Sequence, residues 1–132
     1  MKRFTFVIII LLSTFLLSSF TKKKITDVKG TGKVSWYGPG FHGKRMANGK
    51  IYNQNALTCA TTWNAKTRRK GFPFGTKIKI TNIRNGKSVV VTVTDTGGFA
   101  KHGRKFDLSK GAFKKIASLN QGILKIKYEV VK

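Results

Sequence analysis

Acidic side chains are what this sequence lacks most: four Asp and Glu stand against 27 Lys and Arg in 132 residues, a formal net charge of +23. Any chemistry that needs a carboxyl group has only Asp27, Asp95, Asp107 and Glu129 to draw on. Asp27 lies in a polar lead-in and Glu129 close to the end, which leaves Asp95 and Asp107 as the candidates for acid–base work. Cysteine is nearly absent as well. The single Cys59 excludes an internal disulfide, so an exported domain of this size must be held by packing, which favours a closed, well-filled sheet. Cys59 sits in the apolar run Ala56–Ala60 and reads as a buried, inert thiol. The two histidines, His42 and His102, and the distant acids have no metal-ligand spacing, so no metal and no cofactor are expected.

What is abundant is positive charge, and it is spread along the chain. Removing Lys2 and Arg3 from the formal +23 still leaves +21. A surface of one sign attracts polyanions, but the cations are not gathered into an arm or helix and no nucleic-acid motif occurs. Anionic polymers of a cell envelope fit better than nucleic acid. The amino terminus agrees: Lys2 and Arg3 precede an apolar run from Phe4 to Phe20, a basic n-region followed by an h-region. Residues 1–20 are therefore expected to be a signal peptide or an uncleaved N-terminal anchor, the only expected contact with a membrane. Residues 21–31 read as a basic linker, and residues 32–132 as one small domain. The protein is expected to be exported, to periplasm or cell wall, as a monomer.

Within the domain, Gly32–Tyr37 reads as a first strand and Ala56–Ala60 as a short buried one. The segment between them is a long Gly- and Asn-rich loop. Lys77-Ile78-Lys79-Ile80 alternates as a half-buried strand should. Asn85-Gly86 marks a hairpin, and Ser88–Thr94 is the β-branched return strand, running into Asp95-Thr96-Gly97-Gly98. Ser109 can cap a helix whose apolar positions run from Ala112 to Leu119. Leu124–Val130 alternates again as a closing strand. Five or six short strands with one late helix suggest a mainly β fold, a small barrel.

The ordered blocks Gly32-Lys33-Val34-Ser35-Trp36-Tyr37-Gly38, Phe41–Gly49, Asn55–Thr58, Phe72–Thr76, Thr81–Val91, Asp95–Phe99 and Asp107-Leu108-Ser109 resemble the rare lipoprotein A (RlpA-like) domain. The resemblance spans about residues 32–131. It implies a six-stranded double-psi β-barrel with one short helix near the C-terminus. It also implies a peptidoglycan lytic transglycosylase, which cuts the glycan between N-acetylmuramic acid and N-acetylglucosamine and leaves 1,6-anhydro ends. The alternative is a non-catalytic, expansin-like module that binds or loosens the wall. The scarcity of acids suits transglycosylation: an ordinary glycosidase needs two flanking carboxylates, whereas here the sugar's own C6 hydroxyl is the nucleophile and one carboxyl group can serve as acid and base.

Asp95 matches the family's catalytic aspartate; its other reading is a side chain that holds the Gly-rich turn through backbone N–H groups. Asp107 is either a second polar group in the cleft or an anchor for the following helix. Trp36, Tyr37, Phe41, His42, Trp63 and Thr96 are the substrate-binding candidates, the aromatics as faces on which sugars stack. Trp36 and Tyr37 adjoin on a strand, so only one can point outward. The sequence departs from the family pattern at Lys50, where Glu is usual, at Thr61, where His is usual, and in Asp95-Thr96-Gly97-Gly98, where Asp-Arg-Gly-Pro is usual.

Overall fold

The computed structural model describes residues 28–132. The expected signal or anchor segment and the linker as far as residue 27 lie outside the described residues. Seven strands and one α-helix follow in the order β1 (Lys29–Trp36), β2 (Thr58–Asn64), β3 (Arg69–Lys70), β4 (Lys77–Asn82), β5 (Ser88–Gly97), β6 (Arg104–Leu108), α1 (Lys110–Ile116) and β7 (Leu124–Val131). Hydrogen bonding runs β2-β5-β4-β7-β1-β6, and β6 pairs back onto β2. Six strands therefore close into a barrel with no free edge, and the two-residue β3 is a hairpin extension of β2 outside the ring. Two of the six contacts, β1–β6 and β2–β5, are parallel.

Binary patterning accounts for the closure. In β4 the lysines face out while Ile78 and Ile80 are fully buried; Val91 and Val93 in β5 and Ile126 in β7 are fully buried too. Period-2 alternation places each set on one face, and α1 adds Phe113 and Ile116 from one end of the barrel. Ser109 caps that helix as expected, its Oγ accepting from the N–H of Ala112 at 3.1 Å.

Several expected boundaries move. β1 begins at Lys29, three residues before Gly32, because Lys29–Thr31 continue the antiparallel ladder opposite Glu129–Lys127; the linker ends correspondingly earlier. β2 starts and ends later than Ala56–Ala60. The helix stops at Ile116, and Leu119 falls in a 3-10 turn. At the β4–β5 hairpin only Gly86 takes a positive φ, of 75°. Asn85 is held instead by its side-chain amide, which donates to Ile116 O at 2.9 Å.

Cys59 is 1% exposed, and burial pushes its thiol above the usual thiol range. The folded chain keeps this proton where the unfolded chain releases it, from about pH 9 upward, so stability is full below that pH and falls as pH rises through it. Urea titrations at pH 8 and pH 10 should show wild type losing about 1 kcal/mol more than Cys59→Ser over this interval. Parallel losses in the two proteins would refute a buried thiol as the cause.

Candidate active site

Asp95 and Asp107 come together through the strand register. On β2, Ala60 is the ladder partner of Asp95 in β5 on one side and of Asp107 in β6 on the other. The two carboxylates thus stand on strands two ladder spacings apart, roughly 10 Å at the backbone, flanking the smallest side chain that could lie between them. Both parallel pairs carry a bulge next to an acid. The β2–β5 register slips so that Thr94 is passed over just before Asp95, and the β1–β6 register slips past Lys105, two residues before Asp107. Bulges re-aim side chains and are common beside active sites.

The Asp95 carboxylate is tightly held on one oxygen and open on the other. Its Oδ1 accepts from the backbone N–H of Ala47 at 2.8 Å and of Thr96 at 2.9 Å. Among the described residues its Oδ2 accepts only the Tyr37 hydroxyl, at 2.7 Å, so a lone pair remains there. The turn-holding role considered for Asp95 is real, and it uses the oxygen that faces backbone. Burial, then the hydrogen bond to Asp95 and its charge, raises the Tyr37 hydroxyl far above its ordinary range, so it stays a donor at every working pH. The ring is fixed by stacking on Tyr52 at 4.7 Å between centroids and by an edge contact with Phe41 at 5.7 Å.

Asp107 is held by the Ser35 hydroxyl, which donates to Oδ1, and by Arg104, whose Nε lies 3.2 Å from the same oxygen. The first N–H groups of α1 go to Tyr52 Oη, Gln54 O and Ser109 Oγ and none to Asp107, which removes its helix-anchor reading. Both acids line a groove of about 840 Å³ together with Tyr37, Phe41, Lys44 and Arg104. The long first loop forms one wall. It docks on β5 through Asn48 N–H to Thr94 O at 3.2 Å and through buried Met46, whose sulfur accepts from the Thr94 hydroxyl at 3.3 Å.

The other candidates divide. Phe41 is half exposed, at 50%, and Thr96 lies at the end of β5; both line the groove. Trp36 also lines the groove, but its indole packs on Phe113 and donates to Leu119 O at 3.2 Å, whereas Tyr37 aims its hydroxyl at Asp95. His42 does not line the groove; its Nδ1 accepts from Gln54 N–H at 3.1 Å and braces the loop. Trp63 lies on the β2–β3 hairpin and lines a neighbouring hollow. His102 is exposed and lines the groove. Ser35 and Arg104 were not anticipated. The only sequence signal for Arg104 is its i, i+3 spacing to Asp107. Thr61 is buried and accepts from Phe72 N–H at 3.0 Å through Oγ1, so this position is structural, while Lys50 is exposed in the first loop.

Gly97 has a steric rather than conformational reason. A Cβ there would lie 2.7 Å from the Phe99 ring, and Phe99 is itself buried and lines the groove. Gly97→Ala should therefore cost about 1–3 kcal/mol in urea denaturation, whereas Gly98→Ala, with open space at its Cβ, should cost less than half as much.

Comparison with known proteins places this geometry. The family model described as lytic transglycolase matches residues 29–128. A probable endolytic peptidoglycan transglycosylase RlpA of Synechocystis sp. is 48% identical over 107 residues, covering 81% of this chain and 30% of that protein. The endolytic peptidoglycan transglycosylase RlpA of Campylobacter jejuni is 45% identical over 100 residues, covering 76% and 33%. The chain thus spans about a third of the length of these relatives. Among solved structures, the Streptomyces papain inhibitor superposes with a TM-score of 0.59 at 24% identity over 79% of this chain and 94% of that one. An expansin of Clavibacter michiganensis in complex with cellohexaose gives 0.58 at 22% identity, over 79% and 50%. These two show the fold alone, a double-psi β-barrel. On the family match and the two RlpA relatives together, the chain belongs to the lytic transglycolase family as an RlpA-like domain.

Proposed function

We propose that this protein is an exported lytic transglycosylase that cleaves peptidoglycan between N-acetylmuramic acid and N-acetylglucosamine, leaving 1,6-anhydro ends. The observation that carries the reading is Asp95: a groove-lining carboxylate with one oxygen locked by two backbone N–H groups and the other free for a single further partner beside Tyr37. The free oxygen, Oδ2, is the one to carry the proton. In the first half of the reaction it protonates the glycosidic oxygen as the bond from C1 of the muramoyl residue breaks. The C6 hydroxyl of the same sugar then bonds to C1, and its proton passes to the carboxylate, which returns to its starting state. No water is consumed. Asp107, pinned by Ser35 and Arg104, stands on the other side of Ala60 as the second polar group of the groove.

Tyr37 and Phe41 offer faces for sugar rings, and the barrel's positive surface favours an anionic wall over a neutral glycan. Export is supported by the basic and apolar amino-terminal pattern. The test is incubation of the full chain with purified peptidoglycan and mass analysis of the soluble products. Products ending in 1,6-anhydromuramic acid are expected. Binding to the insoluble wall without any release would instead establish the expansin-like reading.

A further inference from the structure

The three antiparallel neighbours β1, β7 and β4 turn their lysines outward. Lys29 and Lys33 of β1, Lys125 and Lys127 of β7, and Lys77 and Lys79 of β4 are all exposed. Glu129 is the one carboxylate among them, and its ladder partners are Lys29 and Lys79. Lys127 is flanked in the same way by Thr31 and Thr81, and Lys33 stands opposite Lys125. A hollow of about 530 Å³ is lined by Lys29, Thr31, Lys79, Thr81, Lys127 and Glu129, so these side chains share one surface.

The fold does not require this arrangement. Like charges directly opposite on a ladder destabilise it, yet Lys33 and Lys125 are so placed. Lysines commonly guard the free edge of a sheet, but each of these strands has a neighbour on both sides in the closed ring. Among the described residues the one ion pair is Arg104–Asp107, so these ammonium groups are left for a partner outside the chain. No aromatic ring for a sugar to stack on lies among the outward residues; beyond the lysines they are Thr31, Thr81 and Glu129, with Ser88 and Val90 alongside on β5. Ammonium groups and threonine hydroxyls all donate, and phosphate oxygens accept. The chemistry fits phosphate better than glycan.

Two further features point to the phosphates of a bilayer. Ile83 and Ile123, 55% and 56% exposed, line another hollow together with Arg84 and Lys125. Lys125 belongs to the lysine face, so an apolar pair borders the charges. Binding to a membrane surface draws on both, apolar area buried and attraction to anionic lipid. The chain also enters the barrel at this face, at Lys29. Residues 21–27 before it include Lys22, Lys23 and Lys24, and they follow the apolar run that ends at Phe20. Seven residues reach at most about 25 Å.

We propose that the β1–β7–β4 face docks the domain on an anionic phospholipid bilayer, its lysines and threonines binding headgroup phosphates. In the ring order β7 lies three steps from β2 in either direction. β2 carries Ala60 between the two acids, so docking leaves that strand facing away from the lipid. The proposal rests on the expected export and not on the reaction proposed above, which its test does not read.

The test reconstitutes the full chain into vesicles and follows quenching of a fluorophore by a nitroxide carried on lipid headgroups. The label goes on Val90→Cys, the ladder partner of Lys79, or on Lys66→Cys in the β2–β3 turn. Cys59 is buried and takes none. In vesicles of equal parts phosphatidylglycerol and phosphatidylcholine, the label at Val90 is expected to be quenched roughly threefold more than in phosphatidylcholine alone. Any tether through the amino terminus is the same in both, so the difference reads docking. The label at Lys66 should change little. Salt at about 1 M, which shortens the screening length to about 3 Å, should abolish the difference. Lys79→Gln with Lys125→Gln and Lys127→Gln should abolish it too, at an unchanged melting temperature. Lys50→Gln with Lys114→Gln and Lys115→Gln, exposed and off this face, removes the same charge and should keep it. Equal quenching in the two vesicles, or equal loss in the two triple variants, would overturn the proposal. Transfer of the labelled face from anionic vesicles to added peptidoglycan would assign it to the wall and overturn it as well.

Discussion

In Asp95→Asn, release of 1,6-anhydro ends should fall at least a hundredfold, with little change in the melting temperature. General acid–base catalysis contributes roughly 10²–10⁴-fold, and Asn removes the proton while leaving the architecture almost whole. Its carbonyl oxygen can still accept from Ala47 and Thr96, as Asp95 Oδ1 does. Its NH2 then faces the Tyr37 hydroxyl, which can rotate from donor to acceptor. The loss should therefore fall on kcat, with wall binding retained. Tyr37→Phe is the informative companion, because it removes the one side-chain donor to Oδ2 among the described residues. It should reduce kcat with wall binding retained, since the hydroxyl fixes the oxygen that carries the proton. If Asp95→Asn keeps more than a tenth of the wild-type rate, the proton comes from elsewhere. Asp107 is then the alternative, as the other carboxylate lining the groove.

The parts of the fold legible in the sequence are those written by local alternation. Ile78 and Ile80 of β4, Val89, Val91 and Val93 of β5 and Leu124, Ile126 and Tyr128 of β7 repeat every second residue, and their strands lie where the pattern puts them. β6 is not legible in this way. Arg104-Lys105-Phe106-Asp107-Leu108 has two apolar residues among charges, and it is a strand because β1 pairs with it in parallel on one side and β2 antiparallel on the other. Such pairing is a property of the closed ring, and five residues cannot announce it. The site follows the same division. Asp95, Tyr37 and Phe41 lie within the motif blocks, so resemblance reaches them. The bond from Ser35 to Asp107 joins residues 72 positions apart and depends on the β1–β6 register, which no local pattern encodes. His42 shows the converse: an aromatic-flanked histidine in a motif block is spent on bracing its own loop.

That dependence on β6 makes Phe106 the residue on which both stability and site rest most heavily. Phe106→Ala should cost about 3–5 kcal/mol, the usual range for a buried phenylalanine, against a total that for small domains is about 5–15 kcal/mol. Phe106 is fully buried and lies at the centre of an aromatic cluster, 5.7 Å from Phe72 and 5.4 Å from Tyr128 between ring centres. Its backbone neighbours are Val34 in β1 and Thr61 in β2, so the cavity opens where the ring of strands closes. The chain's single cysteine provides no disulfide to compensate. The urea midpoint should drop by roughly 2 M, taking a slope of about 1–3 kcal/mol per M for a domain of this size. Phe106→Leu, which keeps most of the volume, should lose less than half as much. A drop of under roughly 0.5 M for the alanine variant would mean that the barrel closes without this cluster. Activity distinguishes the two roles of the strand. Asp107 follows Phe106 directly and takes its position from the same ladder, so the alanine variant should lose activity even at temperatures where it remains folded, and Phe106→Leu should recover it.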